Sequence, residues 1–199
     1  MCSSDLFGNM ASMAAVSVAL PFLPLLPLQI LLINFLSDLP AMTVSTDRVD
    51  PEQLDHPGVW DIHSIRNYMI LFGLVSSAFD FLTFGVLRLG FGADEVLFRS
   101  GWFLESVATE LAVMLLLRTR RPFFRSRAST TLLVSSLAVA LITIGLPYSP
   151  LAEHLSLRPL PTSVLVSLAV ITTGYVLATE IAKARFYRHR GSPSAARAS

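Results

Sequence analysis

Five apolar stretches, each close to 20 residues long, constrain the fold of this chain more than any other feature. They cover residues 28–45, 67–87, 101–117, 130–146 and 163–182. The hydrocarbon core of a bilayer is about 30 Å thick and takes roughly 20 helical residues to cross. Each stretch is therefore predicted to span a membrane as a helix. A sixth apolar run, residues 7–20, is too short to span alone, so it is either re-entrant or a truncated first helix.

The composition agrees with a membrane protein. Only 15% of the 199 residues are charged and 53% are hydrophobic, whereas a soluble domain has about a quarter of its residues charged. The net charge of +1 gives no indication of a nucleic-acid partner. A single cysteine, Cys2, cannot form an internal disulfide. We predict an all-α membrane protein, a bundle of about six transmembrane helices.

The first six and the last nine residues differ in composition from the rest of the chain and indicate the domain boundaries. Residues 1–6, MCSSDL, carry no lysine or arginine and therefore do not form the positive region of a signal peptide. We interpret them as a non-native scar before a truncated first helix. Residues 7–190 are predicted to form one transmembrane domain. The tail, residues 191–199, is rich in serine, alanine and proline and is predicted to be disordered.

The basic residues predict the orientation. With the first of six helices starting in the cytoplasm, twelve of them fall on the cytoplasmic side and three outside. The outer ones are Arg88, Arg99 and Arg158. Cytoplasmic loops carry an excess of lysine and arginine, so both termini are predicted to be cytoplasmic.

Polar side chains interrupt the second apolar run, LLINFLSDLPA, at residues 31–41. Asn34 and Asp38 are four residues apart and stack on one face of a helix, with Ser37 beside them. Pro40 cannot donate a hydrogen bond to the carbonyl of Leu36. Carboxylate, amide, hydroxyl and carbonyl oxygens are ligands for Mg²⁺ or Ca²⁺. The alternative is a hydrogen-bonded cluster that only joins helices.

Three further carboxyl groups lie in the interior of predicted spans, whereas Glu180, next to Lys183 near the end of the last span, is interpreted as interfacial. An ionisable group at this depth normally faces protein, water or an ion. Glu105 and Glu110 are five residues apart and project about 140° from each other on a helix, so they do not form one site by themselves. For each, a protonated carboxyl bonded to a neighbour is an equal alternative. Asp80, with Ser76 and Ser77 one turn back, is interpreted first as a structural bond to an adjacent helix.

Several separated stretches together resemble the C-terminal membrane half of P-type cation-transporting ATPases, above all the bacterial magnesium-importing pumps. LLPLQILLINFLSDLPAMTVSTDRVD, residues 25–50, resembles the sixth transmembrane helix of that family and the loop after it. GWFLESVATELAVMLLLRTRRPFFRSR, residues 101–127, resembles the eighth helix and its basic turn. SSAFDFLTFGVL and LPYSPLAEHLSLRPLP, residues 76–87 and 146–161, resemble the seventh helix and the last outer loop.

The resemblance assigns roles to individual residues. Asn34 and Asp38 fall where P-type pumps place ion ligands on helix six, and Ser37 falls where calcium pumps have a threonine. Asn9, in FGNM, falls where calcium pumps place a glutamate ligand on helix five. Glu110 stands where many magnesium pumps have glutamine. The resemblance thus implies a metal site of Asn34, Asp38, Ser37, Asn9 and Glu110, and Glu105 and Asp80 rank after them.

The family's motor motifs are absent from the 199 residues: the sequence contains no DKTGT phosphorylation motif, no TGE actuator motif and no Walker A motif. The resemblance therefore implies the membrane part of an ATP-driven Mg²⁺ transporter without its catalytic aspartate or ATP site. ATP would serve only the complete pump.

The implied partners are the lipid bilayer and an N-terminal half of the pump. That half would hold helices one to four and the actuator, phosphorylation and nucleotide domains. The implied location is the bacterial inner membrane. The ligand set alone also permits Ca²⁺ or Mn²⁺. The alternative function is a stand-alone structural or regulatory membrane protein without transport activity.

Overall fold

The computed structural model describes residues 12–18, 20–44, 62–119 and 128–188, and the side chains of 62–65 and 187–188 are excepted. Its helices are α1 (12–18), α2 (Pro27–Thr43), α3 (Ile62–Gly85), α4 (Glu95–Leu117), α5 (Thr130–Gly145) and α6 (Thr162–Arg188). The described part of the chain contains no β-strand. The predicted all-α bundle is confirmed.

Four helices among the described residues are long and apolar enough to cross a membrane. They comprise α3 with the turn after it, α4, α5 with its 3-10 extension, and α6. Helix α2 has 17 residues and would be about 26 Å long, at the short end of what crosses a bilayer. It continues through Pro40 as far as Thr43, so the described backbone does not break at the proline.

Local sequence signals set where these helices begin. Pro27 occupies the first turn of α2, where its missing N–H is not needed. The Asp94 carboxylate accepts a hydrogen bond from the Leu97 amide at 3.0 Å, which caps α4. Ser129 caps α5 in the same way through Leu132, at 3.2 Å. Because of the Asp94 cap, α4 starts at Glu95, six residues before the predicted Gly101.

Helix α3 ends differently, in a π-helical turn over Val86–Gly90. The chain then reverses through Gly92, whose φ of 57° lies in the left-handed region that glycine adopts without steric cost. The residues between α3 and α4 thus form a tight connection, and the two helices pack as antiparallel neighbours.

Helix α4 lies at the centre of the bundle. In its most apolar stretch 67% of residues are buried, against 28% in each of the other three long helices. It contacts α2, α3, α5 and α6. Phe98, Trp102 and Phe103 are fully buried in the main core, and Phe98 meets the rings of Phe22 and Phe84 edge-on. Helices α2, α3, α5 and α6 are therefore positioned by α4.

The outer faces of the bundle are apolar. Leu137, Leu141 and Val170 are each at least 60% exposed. In water such surfaces would promote aggregation, whereas in a bilayer they face lipid chains of the same polarity. The exposed surface is that of a membrane protein.

Candidate functional site

The three predicted ligands of α2 point in different directions. Ser37 and Asn34 are half-buried, while Asp38 is exposed. Successive helical residues turn by about 100°, so these three side chains fan from the core side of α2 to its open side. Asp38 shares the open side with Leu31 and Phe35. The prediction that Asn34 and Asp38 stack on one face of α2, with Ser37 beside them, agrees with the helical spacing, but the three side chains differ in burial.

Ser37 connects α2 to α4. Its hydroxyl donates a hydrogen bond to the carboxylate oxygen Oε2 of Glu110 and also approaches the carbonyl of Ile33, at 2.9 Å. Glu110 is half-buried. The contact brings together two predicted site residues that are 73 positions apart in the chain, on two helices that are not consecutive.

A hydroxyl and a carboxylate in this position offer hard oxygen ligands within an apolar bundle. Mg²⁺ takes six such ligands, several of which are usually waters. Among the described residues, no three Asp, Glu, His or Cys side chains converge on a metal site. Ser37 and Glu110 alone could supply only part of such a shell; Asn34 and Asp38 are the polar residues next to Ser37 along α2.

Glu105 and Asp80 lie elsewhere. Both are 1% exposed, and Glu105 projects from α4 about 140° away from Glu110. Beside Glu105, a cavity of about 470 Å³ opens between α4, α5 and α6, with an almost wholly apolar lining. On α3, Thr83 and Ser76 are buried within a turn of Asp80. These two carboxyl groups lie apart from the contact of Ser37 with Glu110.

Asn9, the predicted ligand of the first helix, lies outside the described residues. The described part of that helix, α1, packs Val16 into the main core.

The sequence does not indicate that two polar residues, Ser106 and Lys183, are fully buried. Ser106 is 1% exposed and lies one turn before Glu110 on α4; the four-residue spacing signals that the two stack, but nothing in the sequence distinguishes it from other serines. Lys183 is 2% exposed, although its place near a helix end, next to Glu180, predicts an interfacial pair. Its ammonium group donates to the Leu116 carbonyl at 2.9 Å and pairs with Glu180 at 2.6 Å.

The loop between α5 and α6 fixes the outer ends of α2 and α4. Gln29 of α2 donates to the Leu155 carbonyl at 2.8 Å. Ser100 of α4 accepts from the Arg158 amide at 2.9 Å. The two helices therefore begin at the same end of the bundle and run in the same direction, which sets the register in which Ser37 meets Glu110.

Comparison with known proteins gives one family match. The family described as "Cation transporting ATPase, C-terminus" matches residues 22–185, a segment that includes both α2 and α4.

The curated relatives agree with that match. A protein of Salmonella typhimurium (strain 14028s) named "Magnesium-transporting ATPase, P-type 1" is 38% identical over 196 residues, or 96% of this chain. A protein of the same name from Escherichia coli (strain K12) is 39% identical over 196 residues, and one from Salmonella typhimurium (strain LT2) is 36% identical over 195. The chain spans about a fifth of the length of these relatives, 22% of the first.

Proposed function

Because the chain belongs to the family of cation-transporting ATPase C-terminal domains, we propose that it supplies part of the intramembrane cation site of a P-type magnesium transporter. The transported ion would be Mg²⁺, as the names of the relatives state for those proteins. The ATP-driven step would belong to the longer protein, since this chain spans only about a fifth of its relatives. The location would be the bacterial inner membrane.

The observation that carries the proposal is the hydrogen bond between Ser37 and Glu110. It places a carboxylate of α4 against the polar segment of α2, inside the segment that matches the family. An ionisable group at bilayer depth is costly, by at least ~2.5–3.5 kcal/mol on insertion scales, and is typical of an ion pathway. Glu110 and Ser37 would bind the cation directly, and Asn34, Asp38 and Asn9 would complete its shell, in part through water.

The residues fit Mg²⁺ by their chemistry. All are oxygen donors, and no described thiol or imidazole lies near them to favour a softer metal. Glu110 and Asp38 together would balance the charge of a divalent ion, but the four described side chains are fewer than the six ligands that Mg²⁺ takes. Additional ligands from the rest of the longer protein are therefore part of the proposal.

Mg²⁺ binding to the purified full chain tests the proposal. Thermal unfolding in detergent micelles, with and without Mg²⁺, compares the chain with Glu110→Gln and with a matched control, Glu153→Gln, which removes an exposed carboxylate of the outer loop. We expect Mg²⁺ to raise the melting temperature of the chain and of the Glu153 variant, because a ligand that binds only the folded state stabilises it, and to have a smaller effect on the Glu110 variant. An equal response in all three proteins would contradict the proposal and favour a structural membrane protein.

A further inference from the structure

Ser106 has a buried hydroxyl group for which the fold provides no partner. The residue is 1% exposed, and its Oγ makes no hydrogen bond to any described residue. A buried hydroxyl without a partner destabilises the fold, so such a group in a folded protein calls for an explanation, for example a water or an ion.

Several other hydroxyl groups of these helices form a hydrogen bond within their own helix, whereas those of Thr83, Ser136 and Thr179 have no partner among the described residues. The usual solution is a hydrogen bond to the carbonyl four residues earlier. Ser100 and Thr109 of the same helix adopt it, with distances of 2.8 and 3.0 Å, as does Thr143 of α5, at 2.8 Å. Ser106 keeps its hydroxyl away from the carbonyl of Trp102, although the helical backbone there is regular.

Ser106 lies on the same face of α4 as Glu110, one turn nearer the outer end. Since α2 and α4 run in the same direction and Ser37 meets Glu110, the residues four positions earlier lie at a common depth. Ser106 is therefore level with Ile33 and Asn34 of α2, about 6 Å from the level of the Ser37–Glu110 contact.

We propose that Ser106 is a further cation-binding residue, and that with Asn34 it forms an outer layer above the layer of Ser37 and Glu110. This inference rests on the proposed function. Mg²⁺ releases its waters reluctantly, so the Ser106 hydroxyl hydrogen-bonds to a water of the hydrated ion, while Glu110 balances part of the charge of the ion. The outer layer accordingly holds the ion through water and the inner layer holds it by a charged ligand.

Ser136 supplies a matched control. It is buried, at 6% exposure, and its hydroxyl likewise has no hydrogen-bond partner among the described residues. It lies on α5, where the residues one turn away, Leu132 and Ala140, are apolar. Its position near Ser135, whose hydroxyl is 3.2 Å from that of Thr43, places it towards the other end of α2.

The test is calorimetric titration of the full chain in detergent micelles with Mg²⁺ alone. We expect Ser106→Ala to weaken Mg²⁺ binding by about three- to tenfold, the effect of one lost hydrogen bond, and Ser106→Thr, which keeps the hydroxyl, to bind within about twofold of the unaltered chain. Ser136→Ala should bind Mg²⁺ like the unaltered chain, and Glu110→Gln should lose more affinity than Ser106→Ala.

The outcomes separate the two proposals. If Ser106→Ala binds Mg²⁺ as the unaltered chain does while Glu110→Gln is weakened, Ser106 is not a cation-binding residue and the proposed function stands. Equal weakening by Ser106→Ala and Ser136→Ala would also overturn the inference, because it would reflect a general loss of packing. If the unaltered chain shows no Mg²⁺ binding, both the inference and the proposed function fail.

Discussion

Asp38 and Glu110 are acidic residues of the same bundle that differ in burial. Glu110 is half-buried against α2, and Asp38 is exposed on the open side of that helix. A carboxylate on a lipid-facing surface is costly, whereas one beside a bound cation is compensated. The proposed site therefore gives Asp38 a charge partner that the described residues of its own helix do not provide.

At this scale we predict that Asp38→Asn abolishes Mg²⁺ binding without unfolding the protein. The side chain lies outside the buried core, so its amide replacement removes charge but little packing. Mg²⁺ titration and a thermal melt of the same sample check the two halves of the prediction. Transport assayed in a pump that carries the substitution should likewise be lost. Normal binding with Asp38→Asn would remove this residue from the site.

At the scale of the helix, Lys183 joins α6 to the last turn of α4. Carbonyl groups in the last turn of a helix lack intrahelical donors, and the Lys183 ammonium supplies one to Leu116 at 2.9 Å. Glu180 balances its charge from one turn away on α6. These contacts of Lys183 hold the C-terminal end of α4, beyond Glu110. They therefore help to fix the depth of the Glu110 carboxylate within the bundle.

We predict that Lys183→Met lowers the free energy of unfolding by about 1–3 kcal/mol, the cost of depriving a buried polar group of its partner. The control is Arg185→Met, which removes an exposed cation of the same helix and should change stability by less than about 0.5 kcal/mol. Denaturant titration in mixed micelles, followed by circular dichroism, measures both. Equal stability of the two variants would mean that the contacts of Lys183 contribute nothing to the free energy of unfolding.

The cap of α4 permits a second test at the scale of the helix. Asp94 caps the helix through Leu97 and also pairs with Arg158 at 2.8 Å. Asp94→Ala should cost about 1 kcal/mol or slightly more. Asp94→Asn keeps the cap and loses only an exposed ion pair, so it should cost about 0–1 kcal/mol. The same denaturant titration compares the two variants. Equal losses for asparagine and alanine would show that the ion pair, not the cap, contributes the stability.

The helices could be predicted from the sequence because long apolar runs have few alternatives in a bilayer. The start of α4 was harder, since Glu95–Ser100 contains charges that suggest a loop. Those charges are satisfied locally: Arg99 pairs with Glu95 and donates to the Leu23 carbonyl at 3.0 Å. Such partners come from tertiary structure and leave no signal in the local sequence.

The sequence groups the candidate site residues but does not give their arrangement. Spacing along α2 groups Asn34, Ser37 and Asp38, and spacing along α4 separates Glu105 from Glu110. Which glutamate faces α2 depends on how the two helices are rotated against each other, and spacing within one helix does not determine that rotation. The contact of Ser37 with Glu110 selects Glu110.

At the scale of the whole molecule, the bundle presents an open side along α2. Leu31, Phe35 and Met42 are 60–72% exposed there, next to the exposed Asp38. A purely lipid-facing side would not be expected to carry a carboxylate. The chain spans only about a fifth of the length of its relatives. We therefore expect another part of the longer protein to cover this side.

Orientation is also a property of the whole molecule. We predict that the outer loop faces away from the cytoplasm and the C-terminal tail faces into it, as the basic residues indicate. In a chain whose Cys2 is replaced by serine, a membrane-impermeant thiol reagent should label Glu153→Cys in intact cells. It should label Ser192→Cys only after permeabilisation. The reverse pattern would contradict the orientation.

The position of a bound cation tests the central claim most directly. Mn²⁺ binds the same oxygen ligands as Mg²⁺, and its anomalous scattering locates it in crystals of the chain grown with MnCl₂. We predict one peak between α2 and α4, within ligand distance of Ser37 and Glu110. A peak beside Asp80 or Glu105 instead, or no peak inside the bundle, would contradict a cation site at the α2–α4 contact.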